Sequence, residues 1–294
     1  MRSAAVLLTV LISFGAIGLS GAAPGGFDHS PWDALLKRHV NAIGEVDYAA
    51  LKANRAPLDA YVASLSADSP DSRTVLFPDR AAELAYWLNA YNALTIRGVV
   101  DAYPTRSVLN LGARFGFFSR KDYTLGGLKL SLQDLENDII RKRYGDARIH
   151  FAIVCASVSC PRLEREAFVG ARLEEQLDRV TRGAMLENRT VAIDVKTKTV
   201  FLTALFKWYR ADFGGPALDY VRRYSTPARA ASLDLIGKKP RVRFFDYDWS
   251  INEPGSRAKA KHRYERDLAK PEEASKQVVI VWPRSTRRIA GTST

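Results

Sequence analysis

Cysteine and histidine are among the scarce residues of this chain: two cysteines and four histidines in 294 residues. So little cysteine excludes a fold built on a lattice of disulfides, which takes about 8–10% cysteine or more. Beyond residue 19 no stretch reaches the ~18 unbroken apolar residues of a membrane span, so no transmembrane segment is expected in the mature chain. No internal repeat is found. One-signed charge is also thin over most of the length. The formal charge is +12, but residues 255–294 hold ten basic against four acidic residues, half of the excess. Residues 23–254 hold 33 basic against 28 acidic, too mild a balance for a nucleic-acid-binding body, and no nucleic-acid partner is expected. The 47% hydrophobic, 10% aromatic and 26% charged residues that remain are ordinary globular proportions, which excludes disorder throughout.

What is present begins with an export address. Arg2, an apolar run from Ala4 to Leu19 and the small residues Ser20-Gly21-Ala22-Ala23 follow the order of a cleaved secretory signal. Residues 1–23 are therefore expected to be a signal peptide, cut after Ala22 or Ala23, and the protein to be exported, in an oxidising, periplasm-like compartment. Residues 24–253 are expected to form one globular domain. Residues 254–294 read as a basic, mostly disordered tail with one apolar patch, Val278–Trp282. Weak contact of that tail with anionic surfaces is the partner its charge suggests.

The pattern along the body predicts two short helices over 47–65 split by Pro57, and a long helix over 79–102 with Leu84, Trp87, Leu88, Tyr91, Leu94 and Thr95 on one face. Gly126-Gly127 predicts a hairpin, and Ser131 with Asp134 predicts a cap opening a helix over 132–143. Ile149 to Cys155 is short, apolar and bounded by turn residues, which predicts a buried strand. A helix over 172–187, a hairpin over 191–202, helices over 203–213, 219–224 and 227–236, and a strand over 241–248 complete the reading. Helices outnumber strands without regular alternation, so the expected class is α+β, helices on a small, mainly antiparallel sheet.

Four segments, AYWLNAYNALTIRGV (85–99), SLQDLENDIIR (131–141), HFAIVCASVSCPRL (150–163) and LFKWYRADFG (205–214), resemble the bacterial exported branch of the domain of unknown function 547 family, over about residues 80–225. That resemblance implies a domain and a motif list but no reaction. More weakly, it implies a likeness to papain-like or transglutaminase-like folds, in which a helix packs on a small antiparallel sheet.

The candidate chemistry gathers at His150, Cys155 and Cys160, spaced H-x4-C-x4-C. A cysteine nucleophile needs a neighbour that lowers its pKa from about 8.5. Cys155 is the candidate nucleophile and His150 the base, with Glu136, Asn89 or Asn92 as the third, orienting group. A straight strand argues against a direct pair, because five steps of ~3.3 Å separate the two residues and place them on opposite faces. The competing reading is a Cys155–Cys160 disulfide. Zinc held by His150, Cys155, Cys160 and Glu136 is a third, but four-residue gaps do not match the usual pairing, and no metal or cofactor is expected. Asn89 and Asn92 fall at i and i+3 beside Trp87 and Tyr91. They mark either a cleft for an envelope peptide or glycan, or buried amides that satisfy a neighbouring backbone. Leu205, Phe206, Tyr209 and Phe213 read as core, with Lys207 and Asp212 ion-paired. His29, His39 and His262 read as exposed. Two functions follow: a thiol-dependent hydrolase or acyl transferase on an amide or thioester, or a non-catalytic module stapled by the disulfide.

Overall fold

The computed structural model describes residues 26–112, 115–237 and 239–269. The expected signal peptide and the Val278–Trp282 patch lie outside these residues. Helices α1 (Ser30–His39), α2 (Tyr48–Ala53) and α3 (Ala56–Ala67) come first. Asp47 caps α2 by accepting the Ala50 amide, and Pro57 stands in the first turn of α3, where its missing N–H breaks no helical bond. Asp79 caps α4 (Arg80–Ala102) in the same way through the Ala82 amide. The sequence predicts one apolar face for α4, but sixteen of its residues are buried, because other helices surround it. It is the axis of the core.

After α5 (Gly116–Ser119), strands β1 (Tyr123–Leu125) and β2 (Leu128–Leu130) form an antiparallel hairpin. Its turn holds Gly126 at φ 53° and Gly127 at φ 82°, a left-handed pair that favours glycine at both positions. Ser131 and Asp134 close the expected capping box at the start of α6 (Leu132–Asp134). The helix then widens into a π-helical stretch, Leu135–Arg141, and ends with α7 (Lys142–Tyr144). Such π segments are rare and recur at functional sites.

The strand expected over 149–155 is not there. Residues Ile149–Ala152 form one helical turn, α8, and the chain becomes extended only at Ile153. A short apolar run is buried in either conformation, so its composition cannot separate them. What decides is Asn92 on α4, whose amide donates to the Ala152 carbonyl at 3.0 Å and accepts the Val154 N–H at 2.9 Å. These bonds do for the segment what a sheet partner would.

Helix α9 (Leu173–Leu186) precedes β3 (Val191–Asp194) and β4 (Thr199–Leu202), an antiparallel pair. The helix expected over 203–213 is split into α10 (Leu205–Trp208) and a 3-10 turn, Arg210–Phe213. Helices α11 (Ala217–Tyr224) and α12 (Pro227–Leu235) follow, and β5 (Arg241–Phe244) joins β4 in parallel. The fold is α+β, with helices predominating over two small sheets.

The strand expected to run to residue 248 stops at Phe244, and the chain beyond it becomes a strap. Trp249, Ser250 and Asn252 accept backbone bonds from Val108, Val158 and Val46, tying three distant segments together. The segment 256–269, read from sequence as part of a disordered tail, instead forms helix α13 (Ser256–Ala269) on the body. The buried carboxylate of Glu45 accepts the Gly255 and Arg257 amides at 3.0 and 2.9 Å, which anchors the start of α13. Ala260 is buried, and the Tyr264 ring meets Phe245 edge-on at 5.5 Å. Two histidines expected to be exposed are not: His39 is buried, and half-buried His29 accepts or donates a 2.8 Å bond with the Tyr61 hydroxyl. Among the described residues no helix is long and apolar enough to cross a membrane.

Candidate active site

The site is assembled from four parts of the chain: α4, the π segment, the 150–160 segment and the α10 region with the strap. The π segment carries Arg141, whose guanidinium grips Asp212 with two parallel bonds, Nε to Oδ2 at 2.6 Å and Nη2 to Oδ1 at 2.8 Å. The same Asp212 Oδ2 lies 2.7 Å from His150 Nε2. Burial acts to raise the Asp212 carboxyl, but the bonds from His150 and Arg141 prevail and hold it well below the ordinary carboxylate range. An ionised carboxylate only accepts, so His150 Nε2 donates to Asp212 Oδ2. The ring is fixed in place by stacking on Tyr209, with centroids 4.0 Å apart. Its side chain is 1% exposed.

Cys155 follows the turn that Asn92 pins, and it is bonded to Cys160 as a disulfide with 6.1 Å between the Cα atoms. The intervening turn holds Ala156 at φ 59°, a left-handed conformation that costs a residue with a Cβ about 1–2 kcal/mol. The Cys155 N–H donates to Cys160 Sγ at 2.7 Å. Cys155 Sγ lies 3.0 Å from Ser157 Oγ and 3.3 Å from the Tyr247 hydroxyl. A disulfide sulfur carries no proton, so both hydroxyls donate to it. Burial pushes the Tyr247 phenol up, which keeps it a neutral donor.

His150, Cys155, Cys160 and Glu136 line one small cavity of about 40 Å³, closed by the aromatic rings of Tyr91, Tyr209, Trp208, Tyr247 and Trp249. A void of that size takes a few waters or one reacting group of a larger molecule, since ~10–15 Å³ suffices for a water. Trp208 and Trp249 are stacked at 5.9 Å and only partly buried, so they form the outer wall.

The residues expected at the site divide. Glu136 does line the cavity, but its carboxylate accepts the Tyr91 hydroxyl at 3.1 Å and faces Tyr209; it does not orient His150. Burial first, and this carboxylate second, push both phenols well above the usual range. Asn89 is elsewhere: its amide donates to the Phe168 carbonyl at 2.8 Å and accepts the Phe168 N–H at 3.0 Å. Both asparagines are therefore spent on backbone, which leaves no open amide cleft. Trp87 is buried in the core against Tyr86 and does not line the cavity. The group that does orient His150, Asp212, was expected to pair with Lys207 and turns to Arg141 and His150 instead. Its only sequence signal was a lone acid in the aromatic segment 205–214. Arg141 and Ser157 carried only their places in the family-like segments 131–141 and 150–163, and Tyr247 carried none. Among the described residues no three His, Cys, Asp and Glu side chains form a metal-ligating group.

These features define an α+β protein in which a buried imidazole, bonded to a half-buried carboxylate, and a disulfide line one aromatic-walled cavity. Residues 77–183 match the family described as "Protein of unknown function, DUF547", as three of the four segments led us to expect; the fourth, 205–214, lies beyond the match. That match takes in α4, the π segment, His150 and both cysteines, and ends before Asp212 and Tyr247. No curated protein and no solved structure matches the chain.

Proposed function

We propose that the cavity is a cysteine acyl-transfer centre, a hydrolase or acyl transferase acting on an amide or thioester. The observation that carries this reading is the 2.7 Å bond from His150 Nε2 to Asp212, in a cavity that Cys155 also lines. Once the disulfide is reduced, Cys155 attacks the carbonyl carbon and His150, polarised by Asp212, takes the thiol proton and later gives it to the leaving group. Ser157 and Tyr247 donate to the sulfur and favour its thiolate. The aromatic wall excludes water from all but the reacting group. An exported protein with an envelope component as substrate belongs to the same proposal, on the strength of the signal-like residues 1–23.

The test is the pH dependence of iodoacetamide alkylation at Cys155 in the reduced protein. We expect a thiolate formed well below pH 8.5, shifted back toward 8.5 by His150→Gln, and loss of any acyl-transfer activity in Cys155→Ser. Alkylation that follows an ordinary pKa of about 8.5 whether or not His150 is present would overturn the proposal.

The disulfide itself favours a second reading, a non-catalytic envelope module whose 155–160 loop is the binding surface. Two free thiols in protein taken from its native compartment would remove that reading.

A further inference from the structure

The two sulfurs of the cavity stand in unequal surroundings. Cys155 is partly exposed, whereas Cys160 is 3% exposed. An incoming thiolate therefore reaches Cys155 first. Cys160, the sulfur that would leave, already accepts the Cys155 N–H. Two guanidiniums also converge on its residue: Arg189 donates to the Cys160 carbonyl, and Arg257, brought by α13, donates to the Cys160 and Pro161 carbonyls at 3.3 and 3.2 Å. An N–H donor and nearby positive charge stabilise a thiolate, and a better thiolate leaves faster.

We infer that Cys155–Cys160 is a directional thiol–disulfide exchange site, attacked at Cys155 by an external dithiol, with Cys160 as the leaving and resolving thiol. This rests on the reading of Cys155 as the nucleophile and gives that site its regulation. In the first step a dithiol thiolate bonds to Cys155 Sγ, the Cys155–Cys160 bond breaks, and its electron pair goes to Cys160 as thiolate. In the second step the other dithiol sulfur attacks the first, releasing Cys155 as thiolate and leaving the dithiol as a disulfide. The dithiol loses two electrons and two protons, and the protein gains them as two thiols. In the reverse direction Cys160 attacks a mixed disulfide on Cys155 and closes the site again.

Full-length protein purified without reductant is treated with glutathione, a monothiol that stops at the first step, quenched with iodoacetamide under native conditions and mapped by peptide mass. We expect glutathione on Cys155 and the alkyl group on Cys160 in at least ten-fold excess over the opposite labelling. Equal labelling, glutathione mainly on Cys160, or no exchange until the protein is unfolded would each overturn the inference. A second arm reads alkylation of Cys155 in Cys160→Ser, whose thiol is exposed without any reductant. If its pKa is depressed while the wild-type disulfide resists exchange, the gate is wrong and the acyl-transfer reading stands. If exchange is directional but the pKa of Cys155 is ordinary, the gate stands alone.

Discussion

Asp212 holds its place by two different partners, and each makes a measurable demand at the level of the single residue. Its carboxyl is depressed in the folded state, so the stability it contributes is present above the unfolded pKa of about 3.9 and is lost as the pH falls toward the folded value. Asp212→Asn is expected to cost about 1–3 kcal/mol near neutral pH, by the usual cost of stranding charged partners, with the difference from wild type shrinking below pH ~4. Urea unfolding of both proteins at pH 7 and pH 3 measures this; an equal difference at the two values would be against it. His29 titrates in the opposite chemical sense. Burial pushes it down to about 4, so the folded protein holds it neutral while an unfolded chain takes up a proton near 6.5. Its contribution is full above about pH 6.5 and is lost as the pH falls toward 4. The melting temperature of wild type should drop more steeply across that window than that of His29→Gln, which keeps an acceptor for the Tyr61 hydroxyl.

At the scale of elements, one amide fixes the conformation of the segment that carries His150 and Cys155. Asn92 satisfies two backbone groups around residues 152–154, so Asn92→Ala leaves a buried N–H and a buried carbonyl unpaired, each worth about 1–3 kcal/mol. We expect a loss of about 2–4 kcal/mol by denaturant unfolding on that ground, together with slower alkylation of Cys155 once reduced, as the turn loosens. Asn89→Ala, which strands Phe168 instead, should lose comparable stability with little change at Cys155. Helix α13 makes a similar demand. Truncation after Pro254 takes the Gly255 and Arg257 amides from the buried Glu45 and removes Tyr264 from Phe245. Its expected cost is at least ~2 kcal/mol in thermal unfolding, because a buried carboxylate that keeps only the Asn41 amide of its donors is expensive. A body as stable as the full chain would restore the view of residues 254–269 as a dispensable tail.

The whole molecule is closed by contacts far apart in sequence. Tyr48 donates to Asn252 at 2.6 Å, and the strap from Phe245 onward bonds to residues near 46, 107 and 158. The segment 77–183 that matches the family model lacks the strap, Asp212 and Tyr209. Expressed alone, it should fail to give a cooperative unfolding transition or dispersed amide resonances. A sharp transition in that fragment would show that the site's remote half is an addition to an independent domain.

Local chemistry was legible in the sequence because its partners are neighbours. Pro57, the Gly126-Gly127 turn and the Ser131–Asp134 box each act within about one turn of themselves, and all stand where their spacing places them. The two cysteines that mark the cavity, and their pairing as one of the open readings, belong to the same class, five residues apart. The 149–155 segment was not legible, since an apolar run states that it is buried but not which backbone partner receives its N–H groups. That partner, Asn92, lies some sixty residues away. Asp212 was hidden for the same reason. A carboxylate's partner is set by which cation and imidazole the packing brings within 3 Å, and here the π segment delivers Arg141 while α8 delivers His150. The basic composition of residues 255–294 suggested solvation, yet residues 256–269 form a helix whose start is bonded to a buried acid, Glu45, more than two hundred residues away. Sequence by itself determined the local turns, the Ser131–Asp134 cap and the positions of His150 and the two cysteines, because those need no distant partner; only the tertiary structure decided which carboxylate and which donors stand around them, because those are long-range contacts.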